Sequence, residues 1–243
     1  MHLHFYGTKG FVEEESPAHK GHSAFVLESG GFRLLCDFGQ NRKGLLDQIA
    51  PDAIFVSHAH PDHAWGLEEG TELPFHASAI THELTKDFPI RRRVILEPGK
   101  AVKVGPWRVT AYPVVHSVRC PCVAARIETP EGVVVYSGDI VSFDQPAEAL
   151  TGAHLYIGDG STLTGSLVRR HPSGVLMGHT TVRAQLGWLD KHSVPRAVFS
   201  HFGKAPIEMG EEALRQKLAE LAAAKAPRCE VSAARDGLRV EIA

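Results

Sequence analysis

Ala53-Ile54-Phe55-Val56 runs straight into Ser57-His58-Ala59-His60-Pro61-Asp62-His63, so an apolar tetrad is followed by four potential metal ligands within six residues. The tetrad has the length and β-branched content of a buried strand. Along an extended backbone, residues two apart point the same way, so His58 and His60 can grip one ion from one side. Pro61 stiffens the exit and leaves Asp62 and His63 in a turn, from which they can face a neighbouring position. Borderline nitrogen and oxygen ligands of this kind suit zinc, with manganese and iron also compatible. The chain has 15 histidines in 243 residues, so a chance cluster has to be weighed, and what lies downstream weighs against it.

Three later positions share one context, an apolar strand ending in a polar, metal-competent residue. Pro113-Val114-Val115 ends at His116, Val133-Val134-Val135-Tyr136-Ser137-Gly138 ends at Asp139, and Ala197-Val198-Phe199-Ser200 ends at His201. Strand ends along one edge of a sheet sandwich point into a shared cleft, which brings distant residues together. Singly, each has an ordinary reading as a structural histidine or a turn aspartate; with the six-residue cluster the joint pattern is specific.

The remaining chain reads as many short strands with most helices after them. Strands are expected at 3–6, 23–28, 32–36, 73–77, 94–96, 101–104, 108–115, 123–128, 133–136, 155–157, 174–177 and 196–199, with one or two more in 231–242. Helices are expected at 45–49, 79–86 behind Ser78, 181–192 and 210–226, the last carrying a Leu214, Leu218, Leu221 stripe. No linker, repeat or low-complexity tract appears, so residues 1–243 read as a single domain. This α+β order implies two mixed sheets packed face to face with helices outside.

Composition bounds the function. Lys and Arg number 26 against 28 Asp and Glu, a net charge of −2, which is not the basic footprint of a dedicated nucleic-acid surface. Arg91-Arg92-Arg93 and Arg169-Arg170-His171 read as solvated loops. Cys36, Cys120, Cys122 and Cys229 form no disulfide pattern, and Cys120 and Cys122 read as small apolar residues. His19 and His22 read as loop residues. No apolar stretch approaches the ~20 residues needed to cross a bilayer, and Met1–Gly7 lacks the charged head and apolar run of a signal peptide. The expectation is a cytoplasmic enzyme with no membrane partner, and a homodimer is compatible.

His58-x-His60-x-Asp62-His63, followed in order by His116, Asp139 and His201, resembles the metallo-β-lactamase-fold hydrolase superfamily. The opening Gly7-Thr8-Lys9-Gly10 turn and the strand end Leu34-Leu35-Cys36-Asp37-Phe38-Gly39 are similar as well. The resemblance implies an αββα sandwich with a binuclear site at one edge. It implies that His58, His60 and His116 hold one divalent metal ion, that Asp62, His63 and His201 hold a second, and that Asp139 bridges them. His179, just before a helix and 22 residues ahead of His201, and Asp159, at another strand end, are similar in layout to the ribonuclease Z and phosphoribosyl cyclic phosphodiesterase branch. There an extra catalytic histidine is partnered by an acid in a His-Glu-x-Thr setting; here Gly158-Asp159 stands in place of His-Glu.

The expected activity is therefore hydrolysis of a small or nucleotide-like phosphodiester on two divalent ions, zinc being the expectation and manganese or iron compatible. A hydroxide bridging the two ions would attack phosphorus, Asp62 would hold a metal and accept the nucleophile's proton, and His179 would protonate the leaving oxygen. The alternatives are hydrolysis of a carbon ester, thioester or lactone on the same ions, which needs no separate acid, and a di-iron redox or sensor module.

Overall fold

The computed structural model describes residues 1–242. Its strands, in chain order, are β1 (His2–Gly7), β2 (Ala24–Ser29), β3 (Phe32–Cys36), β4 (Ala53–Phe55), β5 (Thr71–Ala77), β6 (Ile90–Ile95), β7 (Ala101–Val104), β8 (Trp107–Val115) and β9 (Cys122–Thr129). These are followed by β10 (Gly132–Tyr136), β11 (Ser142–Phe143), β12 (Leu155–Asp159), β13 (Arg169–Arg170), β14 (Leu176–Met177), β15 (Arg196–Ser200), β16 (Glu230–Ala233) and β17 (Arg239–Glu241). The helices are α1 (Leu46–Ile49), α2 (Pro61–Ala64), α3 (Ala79–Leu84), α4 (Pro146–Leu150), α5 (Val182–Lys191), α6 (Lys204–Met209) and α7 (Glu211–Lys225).

Seven strands form one sheet in the order β17-β1-β2-β3-β4-β5-β6. The other sheet runs β11-β8-β9-β10-β12-β15-β16, with β7 added beside β8. Both are mixed, and they pack face to face. Alternate residues of the two inner faces, among them Phe5, Leu34, Phe55, Trp107, Ile127 and Ile157, make the layer between them. The outer face of the first sheet is covered around Ile54, Phe38 and Leu67. The outer face of the second sheet meets α5 and α7 through Leu186, Leu189, Leu214 and Leu218. This is the expected αββα sandwich.

Parallel pairing decides where the polar strand ends gather. β10, β12 and β15 are adjacent and parallel, with Tyr136 opposite Ile157 and Asp159 opposite Ser200. Their C-terminal ends deliver Asp139, Asp159 and His201 to one rim, as carboxyl ends of parallel strands do. On the facing sheet, β3 and β4 are parallel with Cys36 opposite Phe55, so Asp37 and Ser57 leave the sheet side by side.

Several expectations need correction. Asp62 and His63 lie in the short helix α2 rather than in a bare turn, because Pro61 occupies its first position, where a missing N–H costs nothing. The strand expected at 174–177 shrinks to Leu176–Met177, which pairs with Arg169 and Arg170 in a two-stranded surface hairpin outside the two main sheets, so Arg169 and Arg170 do not lie in a plain loop. Arg91-Arg92-Arg93 is not a loop but the exposed part of β6, an edge strand beside β5. The Arg93 guanidinium turns back to donate to the carbonyls of His82, Thr85 and Phe88, closing the end of α3. The short helices α4 and α6 have too little apolar periodicity to be seen in sequence.

Candidate metal centre

The rim where the two sheets open holds all seven side chains singled out above. His58, His60, His116 and Asp139 each offer a ligand atom within 4.8 Å of the others, and Asp62, His63 and His201 form a second such group. In the first group, His58 Nε2 lies 2.9 Å and His116 Nε2 3.3 Å from His60 Nδ1. Asp139 faces both groups. Its Oδ2 is 3.6 Å from His58 Nε2 and 3.5 Å from His116 Nε2, while its Oδ1 is 3.2 Å from His63 Nε2.

Residues behind the rim fix these rings. Asp37 is fully buried and accepts from the Ser57 amide at 2.7 Å, the Ser57 hydroxyl at 2.8 Å, His63 Nδ1 at 2.6 Å and the Tyr136 hydroxyl at 2.6 Å. The Tyr136 bond ties the two sheets together directly under the site. A carboxylate on the far nitrogen holds an imidazole in the orientation and tautomer that a metal needs. His116 is held likewise, its Nδ1 donating to the Gly178 carbonyl at 3.0 Å. Gly138, at φ 57°, turns β10 toward Asp139, and a Cβ there would lie 2.8 Å from Cys122 Sγ. His201 itself has φ 57°, a left-handed conformation uncommon outside glycine and frequent at functional sites.

Electrostatics divide the site in two. Burial holds the imidazoles of the first group neutral: His58 and His116 fall below the ordinary histidine value and His60 to about 4. Burial acts on His63 and His201 too, but the carboxylates overcome it. Asp139, Asp62 and Asp37 push His63 up, and Asp139 with its neighbours takes His201 to about 10. Burial would raise the Asp62 carboxyl, yet His63 and His201 bring it to about 2. In the metal-free protein the second group therefore carries its positive charge as protons on two imidazoles.

Two atoms test whether an ion fits. His63 Nε2 and Asp139 Oδ1 are buried, have no hydrogen-bond partner and lie 3.2 Å apart without the alignment of a hydrogen bond. Buried polar atoms without partners are costly, and a cation between them would satisfy both. With three neutral imidazoles next door, the donor set fits divalent ions of the zinc type.

Asp159 ends β12 and is fully buried, and its Oδ2 accepts from His179 Nδ1 at 2.8 Å. Burial opposes a charge on His179, but the Asp159 carboxylate outweighs it and raises the histidine above its ordinary value. The His179 ring packs 5.1 Å from that of His116 and stacks 5.6 Å from that of His201. Ser161 Oγ lies 3.2 Å from His179 Nδ1 and 2.9 Å from His201 Nδ1. Asp139, Asp159, His179 and His201 could also be grouped around an ion, but His179 Nδ1 and Asp159 already satisfy each other. A cleft of about 540 Å³ opens over the centre, lined by His60, Asp62, His179 and His201 and rimmed by Phe11 and Leu167.

Sequence reasoning did not find Asp37 as the residue that orients His63, nor did it establish the pairing of Asp159 with His179. His19 and His22 lie outside all three groups. His19 Nδ1 is 2.8 Å from the Thr8 hydroxyl, and His22 is buried behind Asp62 with its pKa lowered by burial to about 4. Cys122 is buried and Cys120 half-buried, both as free thiols.

A family model described as a beta-lactamase superfamily domain matches residues 32–202. The chain belongs to this family. A UPF0173 metal-dependent hydrolase of Opitutus terrae is 31% identical over 160 residues, which cover 62% of this chain and 66% of that protein. A ribonuclease J of Sinorhizobium meliloti is 36% identical over 97 residues, covering 36% of this chain but 17% of the enzyme. Among solved structures, the metallo-beta-lactamase fold protein YhfI from Bacillus subtilis superposes with a TM-score of 0.75 at 20% identity, covering 99% of this chain and 98% of that one. A diphosphatase from the PhnP family reaches 0.74 at 19% identity, covering 100% and 98%. The short form of human tRNase Z reaches 0.68 at 19% identity, covering 100% of both chains. At these identities the structural likeness concerns the fold, the metallo-β-lactamase fold, and the chain spans less than two thirds of the length of the curated relatives it matches.

Proposed function

We propose that this chain is a phosphodiesterase acting on small or nucleotide-like phosphodiesters over two divalent ions. His58, His60 and His116 would hold one ion, Asp62, His63 and His201 the other, and Asp139 would give one carboxylate oxygen to each. Bound there, the ions would supply Lewis acidity toward the phosphoryl oxygens and acidify a water to serve as nucleophile near neutral pH.

The observation that carries the phosphodiester reading is the His179–Asp159 pair. Hydrolysis of an activated thioester or lactone on such a site needs no separate acid, whereas an alkoxide leaving a phosphodiester does. With Nδ1 engaged by Asp159, His179 has Nε2 left to bear the transferable proton. The Asp159 carboxylate raises its pKa and so favours the protonated imidazole. Asp62, which the neighbouring imidazoles hold ionised, would take the proton of the attacking water. Phe11 and Leu167 on the rim offer apolar surface to a base or aromatic ring. The names diphosphatase and tRNase among the structural neighbours point the same way, on likeness of fold.

The test is a panel on purified protein loaded with defined zinc, manganese or iron. It compares bis(p-nitrophenyl) phosphate, 2′,3′-cyclic nucleotides, short RNA, a thioester and a lactone. Turnover confined to the phosphodiesters is expected; a faster thioester or lactone reaction would overturn the assignment.

A further inference from the structure

Gln185 stands in the apolar layer between the second sheet and α5. It is fully buried, on the stretch of helix that also buries Val182, Leu186 and Leu189. Burying an amide is costly unless both of its ends find partners, and here both do. Its Oε1 accepts from the Tyr156 hydroxyl at 2.8 Å, and its Nε2 donates to the main-chain carbonyl of Asp159 at 2.7 Å. Packing alone would be served by a leucine at this position, so the amide is explained by what it grips.

What it grips is the end of β12. The ladder between β10 and β12 stops at the Tyr136–Ile157 pair, short of Asp159. The Asp159 carboxylate is then set by the Ser161 amide on Oδ1 at 2.9 Å, and by the Ile140 amide and His179 Nδ1 on Oδ2 at 3.2 and 2.8 Å. Gln185 adds a hold on the main chain itself. Gly158 makes room for it: a Cβ there would lie 2.8 Å from Gln185 Oε1 and 2.5 Å from Tyr156 Cε1. The glycine that precedes Asp159 thus goes together with the Tyr156–Gln185 bridge.

The same helix brings in His179. Thr181 caps α5 by accepting from the Ala184 amide at 3.0 Å, and the Val182 and Arg183 amides donate to the Thr162 and Leu163 carbonyls at 2.9 and 3.1 Å. His179 leads directly into this cap, and Gln185 reaches back to Asp159 from about a turn further on. Any slide or roll of α5 along β12 would therefore shift the imidazole against the carboxylate.

We infer that Gln185 is a positioning residue for the His179–Asp159 pair. It locks α5 to the end of β12, so that His179 Nδ1 stays on the carboxylate and Nε2 is left for the leaving group. A fully satisfied buried polar network is suited to this, because it fixes one register of helix against strand. The consequence for turnover rests on the phosphodiester reading, whereas the lock itself is a property of the resting protein.

The test uses the zinc-loaded protein and two variants. Gln185→Leu removes the lock and leaves the Tyr156 hydroxyl buried without a partner, which lowers Tm. Gln185→Leu/Tyr156→Phe removes that hydroxyl too, so part of the Tm returns while Asp159 stays unheld. In both variants kcat for the dinucleotide TpT should fall roughly 10–100-fold, within or just below what a general acid supplies, with KM changed less than about threefold. For thymidine 5′-p-nitrophenyl phosphate, whose leaving group departs without a proton, kcat should stay within about threefold. In proton NMR the downfield Nδ1 proton of His179, identified by its absence in His179→Ala, should move upfield or be lost to exchange with water in both variants. An unmoved proton, equal losses on the two esters, or TpT turnover that returns with Tm in the double variant would overturn the inference. A displaced proton in a protein that cleaves neither ester, or whose His179→Ala variant spares TpT, would keep the lock and remove the phosphodiester reading or its acid.

Discussion

Asp159→Asn would remove the charge that holds the His179 proton while keeping the volume of the side chain. The two groups are 2.8 Å apart, with the carboxylate fully buried. At an effective dielectric of about 20, attraction at that spacing is roughly 6 kcal/mol, and burial of the imidazolium takes part of it back. The balance leaves His179 above its ordinary value. In the Asn variant burial acts with less opposition, so the pKa should fall. The acid form exists below the pKa, so the alkaline limb of kcat/KM should move to lower pH. The assay is kcat/KM between roughly pH 6 and pH 9, for one diester with a nucleoside leaving group and one with p-nitrophenolate. Loss on the nucleoside ester should approach about 10²-fold at the alkaline end and shrink toward the acid end. Loss on the nitrophenyl ester, which departs without a proton, should stay within about threefold. His179→Ala should give the nucleoside-ester loss, about 10²–10⁴-fold, without the pH-dependent recovery. Equal, pH-independent losses on both esters with metal content unchanged would refute the acid role of this pair.

Asp37→Asn should weaken metal binding about 10–100-fold by freeing His63 from its orienting carboxylate, checked by competition with a chromogenic chelator on protein whose circular dichroism is unchanged. Metal loading should release protons across the neutral range, because His63 and His201, the latter at about 10, are protonated in the free protein. Apparent affinity should thus rise with pH, and titration in two buffers of different ionisation enthalpy would measure the protons released. Gly178→Ala should cost about 1–3 kcal/mol in stability through its φ of 104° and the Leu167 carbonyl oxygen, 2.3 Å from where a Cβ would lie. It should also loosen His116; a lowered Tm with weakened metal binding would show both.

Much of this is legible in the sequence because the decisive signals are local. The six-residue cluster carries four side chains on one short segment, and the strand-then-polar-residue pattern picks out His116, Asp139 and His201. The same pattern also applies to Leu155-Tyr156-Ile157-Gly158-Asp159, but a single aspartate after a strand is a common turn residue, and only the parallel pairing of β12 with β15 shows what it faces. Asp37 was hidden for a similar reason: Asp37-Phe38-Gly39 reads as an ordinary strand exit until β3 pairs with β4 and sets it beside Ser57. Arg93 was misjudged because three arginines in a row look solvated, and the carbonyls it closes belong to another element.

The most direct test is anomalous diffraction from crystals of the zinc- or manganese-loaded protein. Two peaks roughly 3.5–4 Å apart are expected, one among His58, His60 and His116, the other among Asp62, His63 and His201, with an Asp139 oxygen on each. A single peak confined to one group, or ions bound away from Asp139, would contradict the binuclear centre on which the proposed chemistry stands.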